Sequence, residues 1–382
     1  MMEEVKLQEI CRIEKGKQID TSQLRTDSPY KYINGGIKES GYYHEYNTDS
    51  EAVLVSEGGA SCGYVNYVNE KFWCGCHCYK LTESKTLAKY LYYALKGNQD
   101  KIMELRSGAA MPNIKKEVFK NMSLLVDFDK NNQQAIVETL DCIQKAINNK
   151  TDELLSLDEL VKSRFIEMFG EPKTNPQEFP VIPLSNVFDI GSSKRVYESE
   201  WTSCGVPFYR AREIVSLSKN GFVDNALFIT EEMYRQYKNK YGVPKENDMM
   251  VTGVGTLGVC YIVKPNDKFY FKDGNTLWFK NKGLCNVIFI KELFDTDFVK
   301  EQIVANANAS TVGTYTITKA NNTMIIYPPI ELQNEFAEFV KLIDKSKFVC
   351  HSKNFLCDIF TFSSSTIAYP SVVSIFVCPK RC

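Results

Sequence analysis

Gly253-Val254-Gly255-Thr256-Leu257-Gly258 has the glycine spacing of a dinucleotide-binding turn. That chemistry needs a strand before the glycines and a helix after them, so that the pyrophosphate rests on a helix N-terminus. Here the β-branched run Val259–Val263 follows and stops at Pro265, which reads strand–turn–strand rather than a cofactor cradle. A similar turn, Glu57-Gly58-Gly59-Ala60-Ser61-Cys62-Gly63, follows Leu54-Val55-Ser56. Such turns let backbone N–H groups and the small hydroxyls of Ser56, Ser61, Thr252 and Thr256 approach an anionic backbone, or simply reverse the chain. Cys74-Gly75-Cys76-His77-Cys78 holds metal-type side chains. In a strand the three thiols would share one face and His77 the other, and no second ligand pair at zinc spacing appears. We read buried thiols and no metal. Tyr327-Pro328-Pro329-Ile330 lacks the acid or amide with which amino-methyltransferases hold a target amine, and reads as the start of a helix. With three histidines (His44, His77 and His351) and no Walker-type or paired-carboxylate motif, no catalytic set is visible.

Basic and amide side chains instead gather at two places: Lys15, Lys17, Gln18, Asn34 and Lys38, then Lys194, Arg195, Arg210 and Arg212. Arginine and asparagine read guanine and adenine edges, while lysine mostly neutralises phosphate. Singly, each is an ordinary solvated side chain. Collectively they suggest a surface for nucleic acid.

The elements that position these residues occur twice. Leu7, Ile10, Ile13 and Lys17 align with Leu184, Val187, Ile190 and Lys194. Leu54-Val55-Ser56 before its glycine turn aligns with Met250-Val251-Thr252 before the second. Ser107–Lys116 aligns with Ser310–Lys319, placing Ile114 over Ile317, and the helix start Asn132-Gln133-Gln134 aligns with Leu332-Gln333-Asn334. Four landmarks in one order, at an offset drifting from about 177 to about 203, indicate an internal duplication. Each copy begins with short apolar runs such as Ala52–Ser56, Val65–Val68, Met249–Thr252, Val259–Val263 and Thr323–Tyr327. Helical segments such as Leu87–Lys96 and Asp297–Val304 interrupt them, as in a mixed α+β domain.

Each copy then ends in a helix. Ile136, Leu140, Ile143, Ile147, Leu154, Leu157 and Val161 step by three and four, the seam of a coiled coil, until Gly170 and Pro172. A helix of about 39 residues is a rod of about 58 Å. Leu332, Phe336, Phe339 and Ile343 start the same pattern after Pro328-Pro329, and it fades near Cys350. The expected organisation is a first domain over residues 1–130, a spacer helix over 131–170, a second domain over 177–328, a distal helix over 329–350 and an atypical apolar tail over 351–382.

At 382 residues, 24% charged and 44% hydrophobic, the chain has an ordinary globular composition. A net charge of −1 leaves any phosphate-binding surface local. Thirteen cysteines, a charged Met1–Glu14 and no apolar stretch of membrane-spanning length suggest reduced thiols and a cytoplasmic protein away from the membrane.

Together these features resemble the specificity subunits of type I restriction-modification enzymes, over about residues 1–350. The carriers are Lys6-Leu7-Gln8-Glu9-Ile10 and Pro183-Leu184-Ser185-Asn186-Val187 opening each copy, the turns Gly58–Gly63 and Gly253–Gly258, and the Gln133 and Gln333 helix starts. The run Leu160–Glu171 closing the first long helix is also similar. The resemblance implies a fold of class α+β, with two pseudo-symmetric target-recognition domains joined by antiparallel coiled-coil spacer helices. It implies a non-catalytic subunit that reads one half of a bipartite double-stranded DNA site with each domain. Its partners would be two modification subunits using S-adenosylmethionine, and restriction–translocase subunits using ATP and magnesium; this chain would hold no cofactor. A two-domain coiled-coil scaffold without DNA readout is the alternative.

One departure stands out. Phe355–Cys382 carries Asp358 as its only charge before Lys380, and runs such as Val372–Val377 have no helical period. It reads as a distal helix replaced by unrelated sequence, as a frameshift would do. Such a truncation is expected to expose Leu154, Leu157 and Val161.

Overall fold

Our computed structural model describes residues 2–108, 111–224, 226–305 and 313–351. Contacts divide the chain into one unit ending at Thr151 and a second beginning at Asp152. The apolar tail lies outside the described residues, as do Ala109, Ala110 and Ser310–Val312 of the third landmark.

The first unit contains β1 (Met2–Lys6), α1 (Leu7–Ile10), β2 (Arg12–Lys15), β3 (Tyr30–Ile33), β4 (Gly41–Tyr43), β5 (Ala52–Ser56), β6 (Val65–Val68), β7 (Phe72–Cys74) and β8 (Cys78–Thr82). There follow α2 (Ala88–Gly97), α3 (Gln99–Glu104), α4 (Lys116–Lys120), β9 (Ser123–Asp127) and the start of α5 (Lys130–Phe169). The strands form a four-stranded antiparallel sheet ordered β2-β8-β5-β6 and a three-stranded sheet ordered β4-β3-β7. In the smaller sheet β3 runs antiparallel to β4 and parallel to β7. A third pair joins β1 to β9. β5 is apolar at successive positions because both its faces are covered. Val53 and Val55 pack with Leu91 and Leu95 of α2, while Leu54 turns to Ile33 and Phe72 of the small sheet.

The second unit contains β10 (Val181–Pro183), a 3-10 turn at Leu184–Asn186, β11 (Phe188–Gly191), β12 (Val206–Tyr209), α6 (Ala211–Asn220), β13 (Leu227–Ile229), α7 (Glu231–Tyr241), β14 (Met249–Thr252) and β15 (Cys260–Ile262). It continues through β16 (Tyr270–Phe271), β17 (Thr276–Asn281), α8 (Val287–Phe294), α9 (Asp297–Val304), α10 (Ile317–Asn322), β18 (Met324–Ile326) and α11 (Ile330–His351). Its sheets are ordered β11-β17-β14-β15, β13-β12-β16 and β10-β18. Element by element this is the first unit again, down to the one parallel pairing, β12 with β16. Met249 and Val251 face the large core, and Met250 faces the other way. What the second unit adds is α6 and α7, inserted beside the small sheet. The duplication read from four landmarks is thus a duplication of topology.

One sequence alignment and one strand reading need correction. The Ile114 N–H donates to the Glu57 carbonyl, and the Tyr315 N–H donates to the Gly253 carbonyl. Ile114 and Tyr315 are both buried, so they are equivalent; Ile317, at 37% exposure, merely begins α10. Cys74 through Cys78 is not one strand either. β7 ends at Cys74 and β8 begins at Cys78, with a turn between them that leaves Cys76 half-buried.

A buried glutamine ties each long helix to its domain. Gln133 accepts from the Leu87 N–H at 2.8 Å, at the start of α2, and donates to the Asp127 carbonyl at 2.7 Å. Gln333 accepts from the Asn286 N–H at 3.0 Å, at the start of α8, and donates to the Pro328 carbonyl at 2.8 Å. Each amide thus satisfies a helix-start donor that lacks an intrahelical acceptor.

α5 is 40 residues long, about 60 Å. Ile136 and Leu140 are buried in the first unit's core and Ile143 packs against it. In the second unit Val161, Phe165 and Phe169 pack with Phe336, Val340 and Ile343 of α11. Arg164 pairs with Glu335 at 3.1 Å and Asp158 with Lys347 at 2.7 Å, so the two helices run antiparallel. Leu332 and Phe339, both expected in the seam, lie at its edge, while Val340, which the spacing did not single out, is in it. Val161 is buried, Leu154 and Leu157 are half-buried, and Ile147 is 44% exposed. The expected exposure is therefore corrected for Val161, which is buried against α11; Leu157 packs partly against the same core, and Leu154 stays half-buried outside it.

Replacing Gln333 by leucine would leave a helix-start N–H and a buried carbonyl without partners, at about 1–3 kcal/mol each. We expect Gln333→Leu to lower stability by about 2–4 kcal/mol in urea titration, and Gln133→Leu to do the same. Losses under about 0.5 kcal/mol would show that water replaces the side chain.

Candidate nucleic-acid interface

In the first unit the ends of β2, β3, β5 and β7 converge. The Gly16 N–H reaches the Cys78 carbonyl and the Lys17 N–H the Cys74 carbonyl. Glu57 N–H donates to His77, and Gly59 N–H to Pro112. Gly59 and Gly63 have φ of +77° and +84°, which the hairpin after Ser56 requires. A Cβ on Gly63 would also press on Ile114 and Met103 at 3.3 Å.

The second unit repeats the convergence with other side chains. Gly255 and Gly258 have φ of +77° and +76°, and the Gly258 N–H closes on the Thr252 carbonyl as the Gly63 N–H does on Ser56. β15 follows this turn and pairs antiparallel with β14, so a strand stands where a cofactor cradle would need a helix. The ends of β11, β12 and β16 meet alongside: Ser193 donates to the Phe271 carbonyl at 2.6 Å, and the Lys272 N–H to the Tyr209 carbonyl at 2.8 Å.

The sequence-selected residues divide into three sets. Lys17, Lys38, Lys194 and Thr256 are exposed and Ser61 is half-buried, all on these loop ends. Ser56 and Thr252 are buried, and the Thr252 hydroxyl is spent inside its turn on the Thr256 carbonyl and the Val259 N–H. Those two build the turn rather than face a ligand. Asn34 accepts from the His77 N–H at 3.1 Å and so positions the Gly75–His77 turn.

The remaining cations are held by carboxylates that sequence reading did not select. Lys15 pairs with buried Glu57 at 2.7 Å. Burial and then this carboxylate push the Tyr79 phenol up to about 12. Arg195 pairs with Asp273 at 2.9 Å. Arg210 and Arg212 share Glu213, each with a contact at 2.9 Å to its Oε1. Glu213 also accepts from the Arg210 backbone N–H at 2.9 Å, capping α6. The signal for Glu213 was legible, since an acid three residues past a helix cap is a capping spacing. Asp273 carried none, because it reaches Arg195 from a distant strand end. Among the described residues no group of three histidine, cysteine or acidic side chains comes together to hold a metal, and no helix is long and apolar enough to cross a membrane.

Burial raises the cost of ionising Glu213, but the hydrogen bonds from Arg210 and Arg212 overcome it and hold its carboxyl below the usual range. A depressed folded-state pKa contributes stability above the unfolded value of about 4.3, and that stability is lost as pH falls through the folded value. Glu213→Gln should therefore cost about 2 kcal/mol near neutral pH, where Arg212 is too solvated to contribute fully. The difference from the parent should shrink between about pH 5 and pH 3 in chemical denaturation. A difference constant with pH would mean that Glu213 is neutral in the folded chain.

Residues 1–157 match the type I restriction modification DNA specificity domain family. A protein of Mycoplasma genitalium assigned as a type I specificity subunit is 28% identical over 229 residues, covering 55% of this chain and 57% of that protein. The alignment thus spans little more than half of that relative. One of Haemophilus influenzae, assigned as a type I restriction enzyme specificity subunit, is 25% identical over 340 residues, covering 87% of this chain and 83% of its own length. The crystal structure of a type I restriction-modification S subunit from M. genitalium shares the fold, with a TM-score of 0.62 at 20% identity, covering 100% of this chain and 97% of that one. Residues 1–157 thus match the specificity-domain family, and the chain is similar in sequence to type I specificity subunits and in its duplicated α+β fold to a type I restriction-modification S subunit.

Proposed function

We propose that the chain reads double-stranded DNA at a bipartite site, one half with each unit, and that it is itself non-catalytic. The observation that carries this is the repeated topology: two copies of one scaffold each bring four strand ends together while presenting different side chains on them. Direct readout depends on such side chains, whereas the scaffold sets only position. In this reading α5 and α11 form the scaffold on which two modification subunits dock, with S-adenosylmethionine held by them. ATP and magnesium belong to the restriction–translocase subunits. The complex acts in the cytoplasm, where its DNA substrate is.

Exchanging residues 1–130 for those of a relative should change one half of the methylated sequence and leave the other intact, read by mapping modified adenines genome-wide. Both halves changing together would refute independent readout. Binding of the chain to duplex DNA should also weaken steeply as salt rises, because phosphate contacts release counterions. Salt-insensitive association, or none, would instead favour an interaction scaffold of the same shape.

A further inference from the structure

The two arginines at the start of α6 are not equivalent. The Nε–Nη2 edge of Arg210 spans both carboxylate oxygens of Glu213, at 3.1 and 2.9 Å, and its side chain is only 28% exposed. Arg212 touches the same carboxylate edge-on, with Nε at 3.0 Å and Nη2 at 2.9 Å from Oε1. Its Nη1 takes no part in that pairing, and its side chain is 72% exposed while that of Glu213 is 1% exposed. A flexible, solvated side chain is thereby held by one edge against a rigid acceptor.

Two further facts bear on purpose. Arg210 and Arg212 stand at the cap and in the first turn of α6, where the helix dipole disfavours cations. Stability alone would not select them there. Arg210 also follows Tyr209, whose carbonyl holds the Lys272 N–H beside Asp273, so the group sits where the strand ends of the second unit converge. The first unit has no counterpart. Asn34 follows β3 at this point, and no helix is inserted.

We infer that Arg212 reads a guanine in the half-site of the second unit, with Glu213 as the positioning residue that orients its fork. This rests on the proposed DNA-reading function. An arginine held along one edge by a carboxylate keeps a coplanar end for a bidentate acceptor, and the N7 and O6 atoms of guanine in the major groove are such a pair. Fixing the plane in advance is what distinguishes a base reader from a charge that follows a phosphate.

The test is selection of bound duplexes from a randomised library by the full chain, for the parent and for Arg212→Ala, Arg212→Lys and Glu213→Gln. Thermal melting of each variant accompanies it. Expected for Arg212→Ala is loss of a guanine preference of about 10- to 100-fold at one base pair, with the other selected positions unchanged. Arg212→Lys retains the charge and the ion pair yet should lose the same preference, because it lacks the planar fork. Glu213→Gln should weaken that preference while the dependence of binding on salt stays as in the parent. Uniform weakening across all sequences, with a salt slope shallower by about one, would mark Arg212 as a phosphate contact and overturn the inference. An unchanged preference in both Arg212 variants would overturn it as well. A parent chain that selects no sequence would instead refute the DNA-reading function itself.

Discussion

The structure hangs on a hydrogen-bonding constraint that two glutamines resolve. A long helix can be joined to a domain only if the backbone groups at the junction find partners, since a buried N–H left open costs more than most apolar contacts return. Gln133 and Gln333 each close one amide N–H and one carbonyl with a single side chain. Because their partners are main-chain atoms, the junction tolerates wide change in the domain it anchors. From that junction the helix direction, and hence the packing of Phe165 and Phe169 on Phe289 and Phe336, follows within the second unit.

Above the junction each unit separates constancy from variation. Its core sheet is buried on both faces, and the glycine hairpins reverse the chain with φ values open to few other residues. The small sheet and its loops vary: the second unit inserts α6 and α7 where the first has short connections. Side chains there are held in part by ion pairs across loop ends rather than by apolar packing.

What was legible in the sequence was what local pattern dictates. Ala52–Ser56 and Met249–Thr252 read as strands because apolar runs end in glycine turns, and both strands have those bounds. The seam positions Ile136, Leu140, Val161, Phe336 and Ile343 are buried because helical spacing alone puts them on one face. The small sheets were not foreseen, since strands of two to four residues pair there across long separations. Ile317 was taken for the partner of Ile114 because identity of type outweighed a two-residue slip that only the hairpin contacts reveal. The carboxylates behind Lys15, Arg195 and Arg210 were missed because proximity in space, not in sequence, brings most of them there.

The ion pairs carry a consequence for how such a chain would find its site. Lys15 and Arg195 are each paired with one carboxylate, Glu57 and Asp273, while Arg210 and Arg212 share the single charge of Glu213, so three of these four positive charges are offset within the protein. Their long-range pull on arbitrary duplex is therefore small, and the net charge of −1 adds none. Attraction would develop only at close range, where an acceptor can compete with the internal carboxylate for the same N–H groups. In the proposed DNA-reading role, such a chain would spend less of its lifetime parked on the vast excess of wrong sequence, and would trade rapid capture for discrimination during the search.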